Sequence, residues 1–123
     1  MPEKVRKVRI AGREYRLQYG IRVRRDIERA LGGVSIWDAL TKTQTADTQV
    51  ALLWGGIKGS DKNLDLEDVL GLLEAHEADG GELGPIMGRV RRAMLESGMV
   101  GKWEPKRVDQ LCGAEEPDVV VPQ

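Results

Sequence analysis

At Gly20 the spacing of apolar residues changes from two to about 3.6, from the period of a strand to that of a helix. Before it, Val8 and Ile10 alternate with Lys7 and Arg9, and Tyr15, Leu17 and Tyr19 alternate with Glu14, Arg16 and Gln18. Ala11-Gly12-Arg13 separates the two runs, so the segment reads as a two-stranded β-hairpin with one apolar face per strand. A hairpin alone is marginal in water, and its apolar face must therefore be covered by the segments beyond Gly20. In those segments Val23, Ile27, Ala30 and Leu31 share one helical face, while Arg22, Arg25, Glu28 and Arg29 fall elsewhere.

The helical period then recurs. Gly32-Gly33 stops the first helix, and Ser35 caps a short second one carrying Ile36, Trp37 and Leu40, with Asp38 in its first turn. Thr41 to Thr45 is polar and reads as a loop. A third helix is predicted from about Ala46 to Lys58 on Val50, Leu53, Trp54 and Ile57, the i, i+3, i+4, i+7 pattern. Gly55 and Gly56 interrupt it at a cost of about 1 kcal/mol each relative to Ala, which predicts close approach of a neighbouring helix. Asp65 and Asp68 form a capping-box pattern ahead of Leu66, Val69, Leu70 and Leu73, giving a fourth helix to about Glu77. After the Asp79-Gly80-Gly81 turn, Leu83, Ile86, Met87, Val90 and Met94 make a fifth stripe that Gly98 closes.

The expected organisation is a mainly α domain over residues 1–98, an N-terminal two-stranded hairpin followed by about five short helices, with a flexible tail over 99–123. The tail loses periodicity and contains Pro105, Pro117 and Pro122. With two Tyr, three Trp and no Phe, the core must be aliphatic. Trp37 and Trp54 lie on apolar stripes and are expected in or near that core.

The net charge of −1 exerts no general pull toward nucleic acid or anionic membrane. Its distribution is uneven: residues 1–30 hold ten Lys or Arg against four acids, and residues 31–88 hold three against ten. A single cysteine, Cys112, cannot form an internal disulfide and points to a cytosolic setting. The opening residues contain no apolar run of signal-peptide length, and no stretch approaches the roughly 20 apolar residues of a membrane span.

The sequence offers little for catalysis. Its lone histidine, His76, reads as a solvated residue near a helix C-terminus, where positive charge is favourable. One Cys and one His do not make a zinc site, and the acids at Asp65, Glu67 and Asp68 read as helix capping. Gly55 to Ser60 lacks Walker spacing. No catalytic residue, metal site or cofactor is assigned, and an enzyme is not expected.

Two sets of binding residues remain. A basic patch on the first helix comprises Arg22, Arg25 and Arg29, with Arg24 beside them, and Arg89, Arg91 and Arg92 would extend it if the helices were adjacent. Its bland reading is a solvated helix face. The second set is Met99, Trp103, Val108 and Leu111, an apolar series suited to docking on a partner or to folding back on its own domain. Met87 and Met94 share the Val90 stripe and read as core, which leaves Met99 as the methionine expected outside it.

The strands Val8-Arg9-Ile10-Ala11-Gly12-Arg13-Glu14-Tyr15-Arg16-Leu17, the ending Ile27-Glu28-Arg29-Ala30-Leu31-Gly32-Gly33, the segment Leu52-Leu53-Trp54-Gly55-Gly56-Ile57 with Asp61, and Leu64-Asp65-Leu66-Glu67-Asp68-Val69 succeed one another in a distinctive order. Across about residues 5–95 this order resembles the tail assembly chaperones of tailed phages and gene transfer agents. The resemblance implies a non-enzyme of the bacterial host cytoplasm that binds the tape-measure protein, shields its hydrophobic helices and helps recruit tail-tube subunits. It also implies homo-oligomers, as rings or spirals, and a longer frameshifted form. A small nucleic-acid-binding regulator using the arginines of residues 22–29, or a structural tail or neck component, are the alternative readings; nucleic acid and membrane are not the expected partners.

Overall fold

The computed structural model describes residues 6–41, 45–59, 61 and 63–99. Among them an antiparallel hairpin precedes five helices, the mainly helical order that the two apolar periods predict. Strands β1 (Arg6–Ile10) and β2 (Arg13–Leu17) pair with Val8 opposite Tyr15 and Ile10 opposite Arg13. Val8, Ile10 and Leu17 are buried while Lys7, Arg9, Glu14 and Arg16 face solvent, so the alternation separates core from water.

Ala11 and Gly12 turn the hairpin with φ of 51° and 83°. Positive φ at both positions is what a tight two-residue turn needs to match strand twist, although Ala tolerates it poorly. The Ala11 N–H donates to Nδ1 of His76 at 3.1 Å. His76 is therefore half-buried and an acceptor, correcting the expectation of a solvated side chain; the hairpin tip reaches its ring.

The helices are α1 (Ile21–Ala30), α2 (Ile36–Thr41), α3 (Ala46–Lys58), α4 (Leu66–Ala78) and α5 (Leu83–Glu96). Their starts reflect local chemistry. Thr45 accepts from Thr48 N–H at α3, and Asp65 and Asp68 complete a reciprocal capping box at α4, with distances of 2.8 and 3.0 Å. At α2, Ser35 Oγ accepts from Asp38 N–H, and Glu28 of α1 accepts from Ile36 N–H at 2.7 Å.

Three positions expected on apolar faces stand outside the core, and Ala30 at the end of α1 is one of them. Ile36, Ala39 and Leu40 form the buried side of α2, which leaves Trp37, roughly 100° around the helix, 43% exposed. On α4 the buried line runs through Val69 and Leu73, and Leu70 lies 38% exposed beside it. The core is otherwise aliphatic, and Met87 and Met94 belong to it with Ile86 and Val90. Trp54 packs against its margin.

Met99 is also buried, 8% exposed, which corrects its reading as the methionine outside the core. Gly98, at φ 79°, reverses the chain after α5, and the Met99 N–H donates to Ser97 Oγ at 3.1 Å. Trp103, Val108, Leu111 and the rest of the expected tail lie outside the described residues.

α3 packs against α1, α4, α5 and β2. A Cβ on Gly55 would come within 2.6 Å of Ile27 Cγ1, and one on Gly56 within 2.6 Å of Tyr19 Cζ and 2.9 Å of Leu17 Cδ2. The expected close neighbour of Gly55 is thus α1, whereas Gly56 admits the chain leaving β2. There Gln18 N–H donates to the Gly56 carbonyl at 3.0 Å, which draws the backbone out of the sheet and ends β2 at Leu17, short of Tyr19. Tyr19 reaches over the helix to donate to the Leu52 carbonyl at 2.7 Å, and burial of that hydroxyl pushes its pKa up.

Gly56→Ala is expected to destabilise the protein by about 1–3 kcal/mol through overpacking against Tyr19. Gly71→Ala in α4, where a Cβ meets nothing within 4 Å, is expected instead to stabilise by about 1 kcal/mol. Denaturant unfolding of both variants checks the contrast; equal effects would remove close packing as the reason for the glycines of α3.

Candidate functional site

α1 has two differently occupied sides. Val23 and Ile27 face Gly55 of α3, and Ile27 is fully buried. An ion pair fixes the helix further: Asp26 meets Lys58 at 3.0 Å, and the same ammonium stands 4.7 Å from the centre of the Trp54 ring. The other side lines a groove of about 570 Å³, whose lining among the described residues is Ile21, Arg22, Arg24, Arg25 and Glu28.

Ile21 is the most exposed large apolar residue among those described, at 74%. It sits away from the Val23–Ile27 stripe, so no packing within the described fold accounts for it. Arg22 and Arg25 are exposed and take part in none of the ion pairs among the described residues. The acids of α1 are already engaged: Asp26 by Lys58, and Glu28 by Ile36 N–H and by Arg24 Nε at 3.5 Å.

The charge placement runs against helix stability. Gly20 supplies no side-chain cap, the first turn has no acid, and Arg22 and Arg24 stand where the helix dipole is positive. Each cation so placed costs on the order of 0.3–1 kcal/mol, whereas Arg29 in the last turn is favourable. Fold stability thus explains Arg29 more readily than Arg22. An anionic group brought to the groove would relieve the repulsion.

Of the expected basic patch, Arg22 and Arg25 line the groove together, while Arg29 is exposed but does not. Arg24 is half-buried, donating to Glu28 and, through Nη1, to the Met99 carbonyl at 3.2 Å. Arg89 does not extend the patch. It is buried against the hairpin, donating from Nη1 to the Lys7 carbonyl at 3.0 Å, because α5 packs along β1. Arg91 and Arg92 are half-buried and engaged, and neither lines the groove. Met99 reaches the site through its backbone carbonyl alone, its side chain being in the core.

Ile21 was legible in one respect that the helical reading passed over: it is an apolar residue opposite an apolar stripe, at i and i+4 with Arg25. Among the described residues no group of three or more His, Cys, Asp or Glu is placed to hold a metal ion, and no helix is long and apolar enough to cross a membrane. The arrangement suits recognition of a surface with one apolar anchor and nearby acids.

Ile21→Ser is expected to change the unfolding free energy by less than about 0.5 kcal/mol, whereas Ile27→Ala on the seated side costs about 2–5 kcal/mol. Urea titration of the two variants measures the difference. A large loss in Ile21→Ser would show that Ile21 serves the fold rather than a partner. The chain matches no known family model, no curated protein and no solved structure.

Proposed function

We propose that this protein is an assembly chaperone of tailed-phage type, which acts by binding rather than catalysis in the cytoplasm of the bacterial host. Its client is the tape-measure protein, whose hydrophobic helices it shields while tail-tube subunits are recruited. The observation that carries the reading is the α1 groove, where an exposed Ile21 adjoins the exposed arginines Arg22 and Arg25. An amphipathic helix can set one apolar side chain against Ile21 and place acids a turn away against the guanidinium groups, the helix-in-groove mode of recognition. The order of hairpin, Gly-Gly helix ending, glycine-bearing helix and acidic cap supports the same reading through its resemblance to the tail chaperones.

Co-expression with the tape-measure protein of the same phage or prophage tests it. The long protein is expected to become soluble and co-purify with the wild type, and to do so poorly with Ile21→Asp plus Arg25→Glu. A client that stays insoluble with the wild type removes the chaperone reading. The exposed face of Arg22, Arg25 and Arg29 supports a second reading, a nucleic-acid-binding regulator, which requires DNA affinity that falls steeply as salt rises.

A further inference from the structure

Two faces of the molecule carry charge that the described fold does not pair, and the charges are opposite. On α1, Arg22, Arg25 and Arg29 are exposed and enter none of the ion pairs among the described residues. On α4, a helix without Lys or Arg, the same holds for Glu67, Glu74 and Glu77. Both helices pack on α3, yet no ion pair among the described residues joins one to the other. We infer that the outer face of α4 in a second copy of this chain seats against the α1 groove. This rests on the reading of that groove as the seat of an amphipathic helix, and it names one such helix.

Three observations select α4 as the occupant. The first is the complementarity of carboxylates on one helix and guanidinium groups on the other. The second is the apolar anchor. Leu70 is 38% exposed with Glu67 and Glu74 a turn to either side, and Ile21 is 74% exposed with Arg25 a turn further on. Laid parallel with Leu70 against Ile21, α4 brings Glu74 level with Arg25, each about 6 Å along its axis from the apolar residue. The third is Gly71. It weakens α4 as a helix, and a Cβ there meets nothing within 4 Å inside the molecule, so no contact of the described fold accounts for it. Bare backbone beside Leu70 lets a second helix come close, as Gly55 does for α1 within one copy.

The two faces are unlike, so the contact is heterologous. Each copy in a pair keeps either a vacant α1 groove or a vacant α4 face, and the same contact repeats with a third copy. Exposed ion pairs hold such a contact weakly. A client helix with an apolar anchor and acids therefore takes the place of a neighbour's α4, which makes client binding and self-association exclusive at each groove.

Sedimentation equilibrium of the full chain, with charges exchanged between the faces, tests this. The wild type is expected to exceed the mass of one chain as concentration rises. Arg25→Glu with Arg29→Glu, and separately Glu74→Arg with Glu77→Arg, are expected to stay at the mass of one chain. Mixing these two variants should restore association, because the reversed α1 of one meets the reversed α4 of the other while their unreversed faces still match. Gly71→Gln is expected to weaken association without lowering the urea midpoint of the dilute, single copy. A wild type that keeps the mass of one chain up to its solubility limit overturns the inference. So does association that survives either reversal or is unaffected by Gly71→Gln, and so do folded single-face variants that fail to associate when mixed. No client is present, so failure here leaves the chaperone reading intact, and an insoluble tape-measure protein leaves this measurement intact.

Discussion

The backbone of α3, bare of side chains at Gly55 and Gly56, is the surface against which the hairpin exit and α1 are placed. Two side chains would keep those elements apart; their absence lets Ile27 and Val23 settle over Gly55 and lets Tyr19 and Leu17 settle over Gly56. The Gln18 to Gly56 backbone bond and the Tyr19 to Leu52 bond then satisfy polar groups that this approach strips of water. The glycines weaken α3 as an isolated helix and strengthen it as a site of packing, a trade that tertiary contact settles in favour of packing.

With α1 so seated, its remaining side is held in one orientation, and the groove inherits that rigidity. The Asp26–Lys58 pair and the Glu28 bond to Ile36 N–H fix the helix at its middle and near its end without using Ile21, Arg22 or Arg25. A rigid element that offers an apolar anchor and preplaced cations loses little entropy when a partner helix binds, which matters more for affinity than the area covered.

Local chemistry was readable residue by residue. The bounds of α3 follow the apolar spacing between Ala46 and Lys58, and the capping box of α4 follows Asp65 and Asp68, because each involves groups a turn or two apart; the cap by Thr45 was read only as loop. The other features that were not legible all join distant segments. Nothing near His76 in sequence indicates that Ala11 will donate to it, nothing near Arg89 that it will meet Lys7, and nothing near Glu28 that it will cap α2. Trp37 shows the related limit of a short helix: one turn does not define which apolar residues face inward until a neighbour covers them. The groove was half legible, through its arginines, and the reading of Met99 missed that Gly98 would fold it inward.

The bond between Arg6 and Glu96 has an implication for how the protein emerges from the ribosome. Both guanidinium contacts, at 2.8 and 2.9 Å, connect the first described strand to the last turn of α5, and β1 packs along that same helix. Strand β1 is therefore synthesised well before the helix that covers it. At about 5–20 residues per second that delay is roughly 5–20 s, during which Val8 and Ile10 have no α5 to cover them. Translation speed across the intervening helices, rather than the intrinsic rate of hairpin formation, sets the time over which the nascent chain is open to mispairing.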